Sequence, residues 1–384
     1  MQKRQYDQQN SSYKNFWRIS LGVIFILMIS WSFLMTFPAE RVYEFQPVKT
    51  GVVPDHVSAQ TVNSFSVAPY NHASAMATQG DYLYLTWYAG TAEHQSDVDI
   101  MLTVGHWNHH GGIDFSKPKA VMSQKILEKA QNRIRHALGN PILAASKDRL
   151  WLFFVSTTGG WATSSINKMY SDDHGKTWSD PQPVITTAMF NYSTLTRGNP
   201  VSLTHGRFAI PFYNELLTKS GRYIVFNHEG DVVDVRRMSW NGFTLQPVVV
   251  PISSHQAWAF FRRSGNQAHR MYQSYTNDGG KTWQPAKPTT LRNPDSGLSA
   301  FLAKKTIGVI YNNAYNDRHN LTLALADRPY QGQWKNVLKM ESSPDEKFSY
   351  PFTVWFKGHY YVSYSADTND KIQLVKLVSG KGAA

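Results

Sequence analysis

Two copies of an eight-residue pattern, Ser/Thr-x-Asp-x-Gly-x-x-Trp, set a hydroxyl and a carboxylate two residues apart, a pairing that could either move protons or bind a cation. The copies are Ser171, Asp173, Gly175 and Trp178 in YSDDHGKTW, and Thr276, Asp278, Gly280 and Trp283 in YTNDGGKTW. Each follows a short run of β character, so the pattern reads as a turn between two strands. In such a turn the hydroxyl and the carboxylate both accept from backbone N–H groups, the glycine supplies a positive φ, and the indole packs the turn onto its neighbour. The carboxylate is then already occupied, and neither catalysis nor calcium is assigned to it. His106, His109 and His110 in GHWNHHGG form a second cluster with ligand-type side chains. No carboxylate at recognisable ligand spacing accompanies them, so no metal is assigned there either.

The spacing of the two turns points to the frame that holds them. They begin 105 residues apart, too far for one four-stranded unit and suited to two units of about 50 residues each. Short strands punctuated by Gly, Asn and Pro recur along the chain: DYLYLTWY, DIMLTV, LWLFFVS, RFAIPFY, AWAFFR, TIGVIYN, LTLALA and HYYVSYS. From about residue 50 the chain divides into six units of roughly 56 residues, a usual size for a propeller blade. The expected fold is all-β, a six-bladed β-propeller over residues 60–384. Seven blades of roughly 48 residues, or a β-sandwich, are the alternatives.

Composition sets further bounds. The 384 residues are 14% aromatic and include 12 Trp, enough apolar bulk for one large core. A mean hydropathy of −0.40 argues against a polytopic membrane protein. One segment departs from this: Ile19 to Phe37 carries no charge, and Lys14 and Arg18 precede it. It reads as a transmembrane signal anchor at 19–37, after a cytoplasmic basic tail at 1–18 and before a linker at 38–59. Ala39 offers a poor cleavage site because bulky Phe37 lies two places earlier, so the anchor is expected to stay attached. The positive flank keeps its own end in the cytoplasm and sends the propeller to the periplasm or the cell surface. The chain has no cysteine and therefore no disulfide. Of the net charge of +12, +9 lies beyond residue 18, so the folded part is itself basic. No nucleic-acid motif is present; an anionic glycan or lipid headgroups fit the charge better.

Residues 60 to 377 resemble the sialidase (neuraminidase) superfamily, and within it the bacterial branch of predicted neuraminidases with BNR, or Asp-box, repeats. The two turns carry the resemblance, together with LTRGNPVSLTHGRFAIPFYNE, LQPVVVPI, RNPDSGLSA and FSYPF. It implies a six-bladed propeller whose site lies at one mouth of the central channel, with the Asp boxes on the far rim. It also implies three arginines around a sugar carboxylate, a tyrosine nucleophile activated by a glutamate, and an acid for the leaving group. Arg318 in YNNAYNDRHNLTLAL matches the third arginine, Arg262 in AWAFFRR the second, and Tyr350 in FSYPF the tyrosine. TWYAGTAEHQSDVDI resembles the segment that bears the acid, which makes Glu93 or Asp97 the expected proton donor. Two positions depart from the pattern. His72 in PYNHASAM stands where the first arginine would be, and Gln246 in LQPVVVPI stands for the activating glutamate. An amide does not take the proton of a phenol whose ordinary pKa is about 10.

The remaining residues still support chemistry. Arg262 and Arg318 would clamp a carboxylate, which binds an acidic sugar and lowers the cost of charge developing beside it. With His72 and Tyr350 sharing the base and acid roles, the set suits β-elimination from a uronic acid. With Glu93 or Asp97 as acid it suits hydrolysis, and Glu215 in FYNELL would activate water or the tyrosine. Arg197 and Asn199 in TRGNP, His136 and Asn140 in RHALGNP, and Trp161 after Gly159-Gly160 fall in loops after strands and are expected to line the mouth. The expectation is a sialidase-like glycoside hydrolase acting on an acidic glycan without a cofactor. A uronate lyase and a non-catalytic protein of a surface-polysaccharide system are the alternatives.

Overall fold

Short apolar segments ended by Gly, Asn or Asp pair into six antiparallel sheets of four or five strands, giving six blades rather than seven. The computed structural model describes residues 2–34, 42–48, 50–146, 148–186, 191, 193–216, 219–239, 243–265, 269–327, 329 and 332–380. The first blade is built on Tyr70–Gln79, Tyr82–Gly90 and Asp99–Trp107, with Ile113–Phe115 and Lys119–Met122 outermost. The next four follow in chain order. Their inner strands are Ala137–Ala145, the pair Thr194–Thr196 and Val201–Ser202, Thr244–Pro251, and Ser299–Ala303. The sixth blade is composite: Ser349–Phe356, His359–Ala366 and Lys371–Ser379 receive Val57–Phe65 as their outermost strand. Pairing from Val57 opposite Ser379 to Phe65 opposite Ile372 closes the ring with a strand from the other end of the chain.

The cores lie between neighbouring blades. Trp87 and Leu85 of the first blade pack with Phe352, Phe356 and Tyr361 of the sixth. Phe153 of the second packs with Phe208 and Phe226 of the third. Burying one such aromatic side chain contributes about 2–3 kcal/mol before the entropy of ordering it is set against it.

Strand alternation fixes which face each loop occupies. All inner strands start at one mouth, here the near mouth, so connections from second to third strand and from fourth strand to the next blade return to it. Connections from first to second and from third to fourth strand lie at the far face. Both Asp boxes follow third strands, Ser165–Ser171 in the second blade and Arg270–Thr276 in the fourth, and therefore sit on the far face. Their chemistry is that of a turn clip. Ser171 Oγ accepts from the Gly175 N–H at 2.8 Å and Asp173 Oδ1 from the Thr177 N–H at 2.9 Å. Thr276 and Asp278 repeat the pattern with Gly280 at 3.1 Å and Thr282 at 2.9 Å. Trp283 is buried and Trp178 packs against the core between the first and second blades.

Residues 42–48 and 50–56 form a strap across the far face. Tyr43 and Phe45 are buried, and the Phe45 N–H donates to the Ser254 carbonyl at 2.8 Å between the third and fourth blades. Further on, Gly51 lies under Trp355, with Tyr360 Oη bonded to both its N–H and its carbonyl at 3.0 Å. Between these anchors Gln46, Pro47 and Val48 line a channel cavity of about 730 Å³ together with Met76, Phe352 and Trp355.

The transmembrane helix expected over 19–37 is not supported. Residues from Ile19 continue the helix Gln2–Leu34, but among the described residues no helix is long and apolar enough to cross a membrane. Positions 35–37, and Ala39 with them, lie outside the described residues.

Candidate functional site

The inner strands share an irregularity where they begin. Asn140, Gln246 and Tyr350, each directly before a proline, take φ of 44°, 51° and 54°. Ala73 does so at 53° in the first blade, Gly198 at 105° in the third, and Asp295 at 58° just ahead of the fifth inner strand. The pairing register slips at 72/75, 139/142, 245/248 and 349/352. Such a bulge breaks the alternation of side chains and re-aims one of them. Left-handed backbone costs a non-glycine residue on the order of 1–2 kcal/mol, and repeating it around one mouth marks that rim as the place where the fold accepts strain.

The side chains gathered there converge on Tyr350. Its hydroxyl oxygen accepts from Gln246 Nε2 at 3.2 Å and from the Arg262 guanidinium at 3.1 Å. Arg262 also reaches Gln246 Oε1 at 3.3 Å and is paired through Nε with Asp295 at 2.7 Å. Gln246 Nε2 is shared with the Tyr213 hydroxyl at 3.3 Å. The Arg318 guanidinium lies 5.8 Å from the centre of the Tyr350 ring and touches the Asp295 carbonyl at 3.4 Å. His72 stands edge-on to Tyr350 with ring centres 4.6 Å apart. Blades one, four, five and six thus deliver His72, Gln246, Arg262, Arg318 and Tyr350 to one cluster. Among the described residues the Tyr350 proton has no acceptor, while its oxygen already holds two N–H groups.

Burial sets the charge states. Desolvation, then the charges of Arg318 and Arg197, push the His72 imidazole down to about 3, so it is neutral at any physiological pH. Its Nδ1 is buried without a hydrogen-bond partner. Desolvation lowers Arg262, but the neighbouring Tyr350 and Asp295 outweigh it and hold the guanidinium firmly charged. Glu215 is raised by desolvation, partly offset by Arg262 and Lys219.

Arg197 lies beneath the cluster and not on its surface. It is 1% exposed and donates to the carbonyls of Ser74 at 2.9 Å, Tyr350 at 2.7 Å and Pro351 at 3.2 Å. Desolvation lowers it to about 10, still charged at neutral pH. It therefore ties the third blade to the bulges of the first and sixth, and so positions His72 and Tyr350. Asn199 acts similarly through the Thr353 carbonyl at 2.8 Å.

The other expected residues are more scattered. Glu93 Oε1 accepts from the Tyr88 hydroxyl at 3.1 Å and Oε2 from Tyr70 at 3.5 Å, with the carboxylate half exposed. Asp97 is engaged by the N–H and hydroxyl of Thr91, each at 3.0 Å, and so pins the loop that carries Glu93. Glu215 follows the second strand of the third blade on the same mouth, its N–H bonded to Ser193 Oγ at 3.0 Å. His136 is exposed at the start of the second inner strand, and Asn140 occupies the bulge of that strand. Trp161 opens the single turn Trp161–Thr163 on the near side, and its side chain lies outside the described residues. Asp295, Tyr213, Tyr70 and Tyr88 were not foreseen. For Asp295 a signal existed: Pro-Asp-Ser-Gly in RNPDSG is turn chemistry just ahead of a strand, where an Asp tolerates left-handed backbone.

The sequence model of the family described as BNR repeat-like domain matches residues 81–362. Among solved structures, the Hadza microbial sialidase Hz136 superposes with a TM-score of 0.63 at 17% identity, over 80% of this chain and 66% of that one. A protein of unknown function from Dyadobacter fermentans gives 0.63 at 14%, over 84% of this chain and 100% of that one. Trypanosoma rangeli sialidase gives 0.60 at 14%, over 81% of this chain and 55% of that one. The chain therefore spans two thirds or less of the two sialidases, and at these identities the likeness is one of fold. The curated proteins give no match.

Proposed function

The chain belongs to the BNR repeat-like domain family, and from that premise we propose that it is a carbohydrate-active enzyme cleaving a glycosidic bond at a carboxylate-bearing sugar. One observation carries this reading: the Tyr350 oxygen is held by Gln246 and Arg262 beside a second guanidinium, Arg318, at the mouth of the channel. Arg318 makes no ion pair among the described residues and is the cation best placed to receive a substrate carboxylate. In hydrolysis, Glu93 would protonate the departing oxygen, and Tyr350 or a water would take the anomeric carbon. Gln246 cannot accept the Tyr350 proton, so that duty would fall to a carboxylate such as Glu215.

The reading places the propeller outside the cytoplasm, attached to a membrane through the apolar N-terminal run that follows Lys14 and Arg18.

A panel of sialosides and acidic polysaccharides, assayed together for new reducing ends and for ultraviolet absorbance, tests class and substrate at once. Reducing ends alone indicate hydrolysis; absorbance of an unsaturated product indicates elimination. Glycan binding with no turnover, unchanged in Tyr350→Phe, would exclude an enzyme and leave a glycan-binding protein.

A further inference from the structure

Around Tyr350 the near mouth is charged unevenly. In the corner between blades four and five the rim holds Arg262, Arg270, Arg292 and Arg318 against Asp295 and Asp317. Across the ring, the turns of blades six and one carry Glu93, Asp97, Asp367 and Asp370 against Lys371. Of the four arginines only Arg262 forms an ion pair among the described residues, with Asp295. A polyanion entering the mouth is therefore drawn to one side of it and repelled from the other.

Arg270 and Arg292 stand directly opposite each other in the ladder between the third and fourth strands of blade four. Like charges so placed destabilise a sheet, and here no paired carboxylate offsets them. Arg270 gives one N–H to the Thr290 carbonyl. Arg292 is exposed, and its guanidinium lies 4.4 Å over the ring of Tyr315, itself 46% exposed. Stacking fixes the plane of the guanidinium and leaves its N–H edges open to a bidentate anion. His269 completes the group. Its Nδ1 lies 2.8 Å from the Tyr315 carbonyl and must donate there, so in the neutral ring Nε2 is an acceptor suited to a sugar hydroxyl.

This group adjoins the Arg318 site by two short routes. Tyr315 precedes Arg318 by three residues in one turn, and Arg292 precedes by three the Asp295 whose carbonyl accepts from Arg318 at 3.4 Å. Three residues span at most about 11 Å. The Asn293 N–H bonds to the His269 carbonyl at 2.8 Å and so draws the start of the third strand into the same corner. A chain of a few sugars reaches from Arg318 to the opposed arginines.

We propose that Arg270 and Arg292, with Tyr315 and His269, form a second anion subsite in this corner, that it takes a further acidic sugar of the same chain, and that the substrate is a polyanionic glycan with repeated acidic residues. The proposal rests on the near-mouth reading above: a glycan with one acidic sugar fills only the Arg318 site. Oligomers of galacturonic acid and of sialic acid, from the monosaccharide to about the pentasaccharide, would be titrated into the full chain by isothermal calorimetry. Affinity should rise by about tenfold or more between the monosaccharide and the longer oligomers, and salt should remove most of that rise. A variant carrying Arg270→Gln and Arg292→Gln, folded by circular dichroism, should lose the rise with length. Arg292→Lys, which keeps the charge but not the planar fork, should keep part of it. Arg318→Ala separates the two readings, because it should weaken every length, the monosaccharide included. A monosaccharide affinity indifferent to Arg318→Ala overturns the near-mouth reading, and a length effect surviving beside it still supports the subsite. Oligomers bound no tighter than the monosaccharide, no binding at any length, or a rise with length equally large in the Arg270→Gln, Arg292→Gln variant would each overturn the proposal.

Discussion

Gln246 and Tyr350, 104 residues apart in sequence, share a 3.2 Å N–H···O hydrogen bond, and each sits at positive φ directly before a proline. The amide gives a proton to the tyrosine oxygen where a carboxylate would take one away. Tyr350 is thus oriented by donors, with its own proton left for a substrate group or a base that arrives with it.

Gln246→Glu tests that polarity. The new carboxylate would accept from both Arg262 and the Tyr350 hydroxyl, supplying the missing base. If Tyr350 is a nucleophile in waiting, hydrolysis of a fluorogenic sialoside should rise by about 10-fold or more over wild type, within the usual range of general-base catalysis. An unchanged or lower rate would mean that the amide is required, as elimination chemistry would have it.

His72 predicts a pH dependence of stability. Its folded-state value of about 3 lies below the 6.5 of the free side chain, so as pH falls the unfolded chain binds the proton first. Stability should decline from about pH 6.5 downward, by about 2 kcal/mol at pH 5 from this residue alone. His72→Gln, which does not titrate, should flatten that part of the curve in urea melts at several pH values. An identical slope in the variant would contradict the assignment.

Arg197→Met should be among the most damaging single changes. It leaves the carbonyls of Ser74, Tyr350 and Pro351 without their donor inside the ring, at a cost of about 3–5 kcal/mol. The midpoint of chemical unfolding would show it. A loss of activity with no loss of stability would instead make Arg197 a substrate-binding residue.

Two glycines distinguish backbone strain from steric contact. Gly279 (φ 68°) would bring a Cβ to 1.9 Å from the Tyr43 carbonyl, whereas Gly80 (φ 60°) has open space around it. Gly80→Ala should cost about 1 kcal/mol from backbone strain alone. Gly279→Ala should cost clearly more, and should expose the strap to limited proteolysis ahead of the ring.

The fold was legible because its signals are local. The Asp boxes carry their hydrogen bonds within a few residues, and their 105-residue separation corresponds to two blades, the second and the fourth. The alternation of short strands and polar turns supplied the rest. The strap was not legible: Tyr43 and Phe45 are buried by blades encoded 150 or more residues later, and no periodicity announces that. Family motifs named His72, Gln246, Arg262, Arg318 and Tyr350, and the structure brings these together. They could not show that Arg197 would be buried beneath the mouth, since an arginine in a Gly-Asn-Pro loop looks like a surface cation. Nor could they show that Asp97 would be engaged by Thr91, or that Asp295 would pair with Arg262, because these depend on loop geometry alone.

The central claim is that the mouth grips a carboxylate next to Tyr350. The most direct measurement compares wild type and Arg318→Ala on an acidic oligosaccharide and on the same compound with its carboxyl groups reduced to alcohols. Carboxyl reduction and the substitution should each weaken binding by about 10- to 100-fold, and together by little more than either alone, because both remove one charge-assisted contact. Equal affinity of the wild type for the acid and the alcohol, or losses that simply multiply, would contradict it.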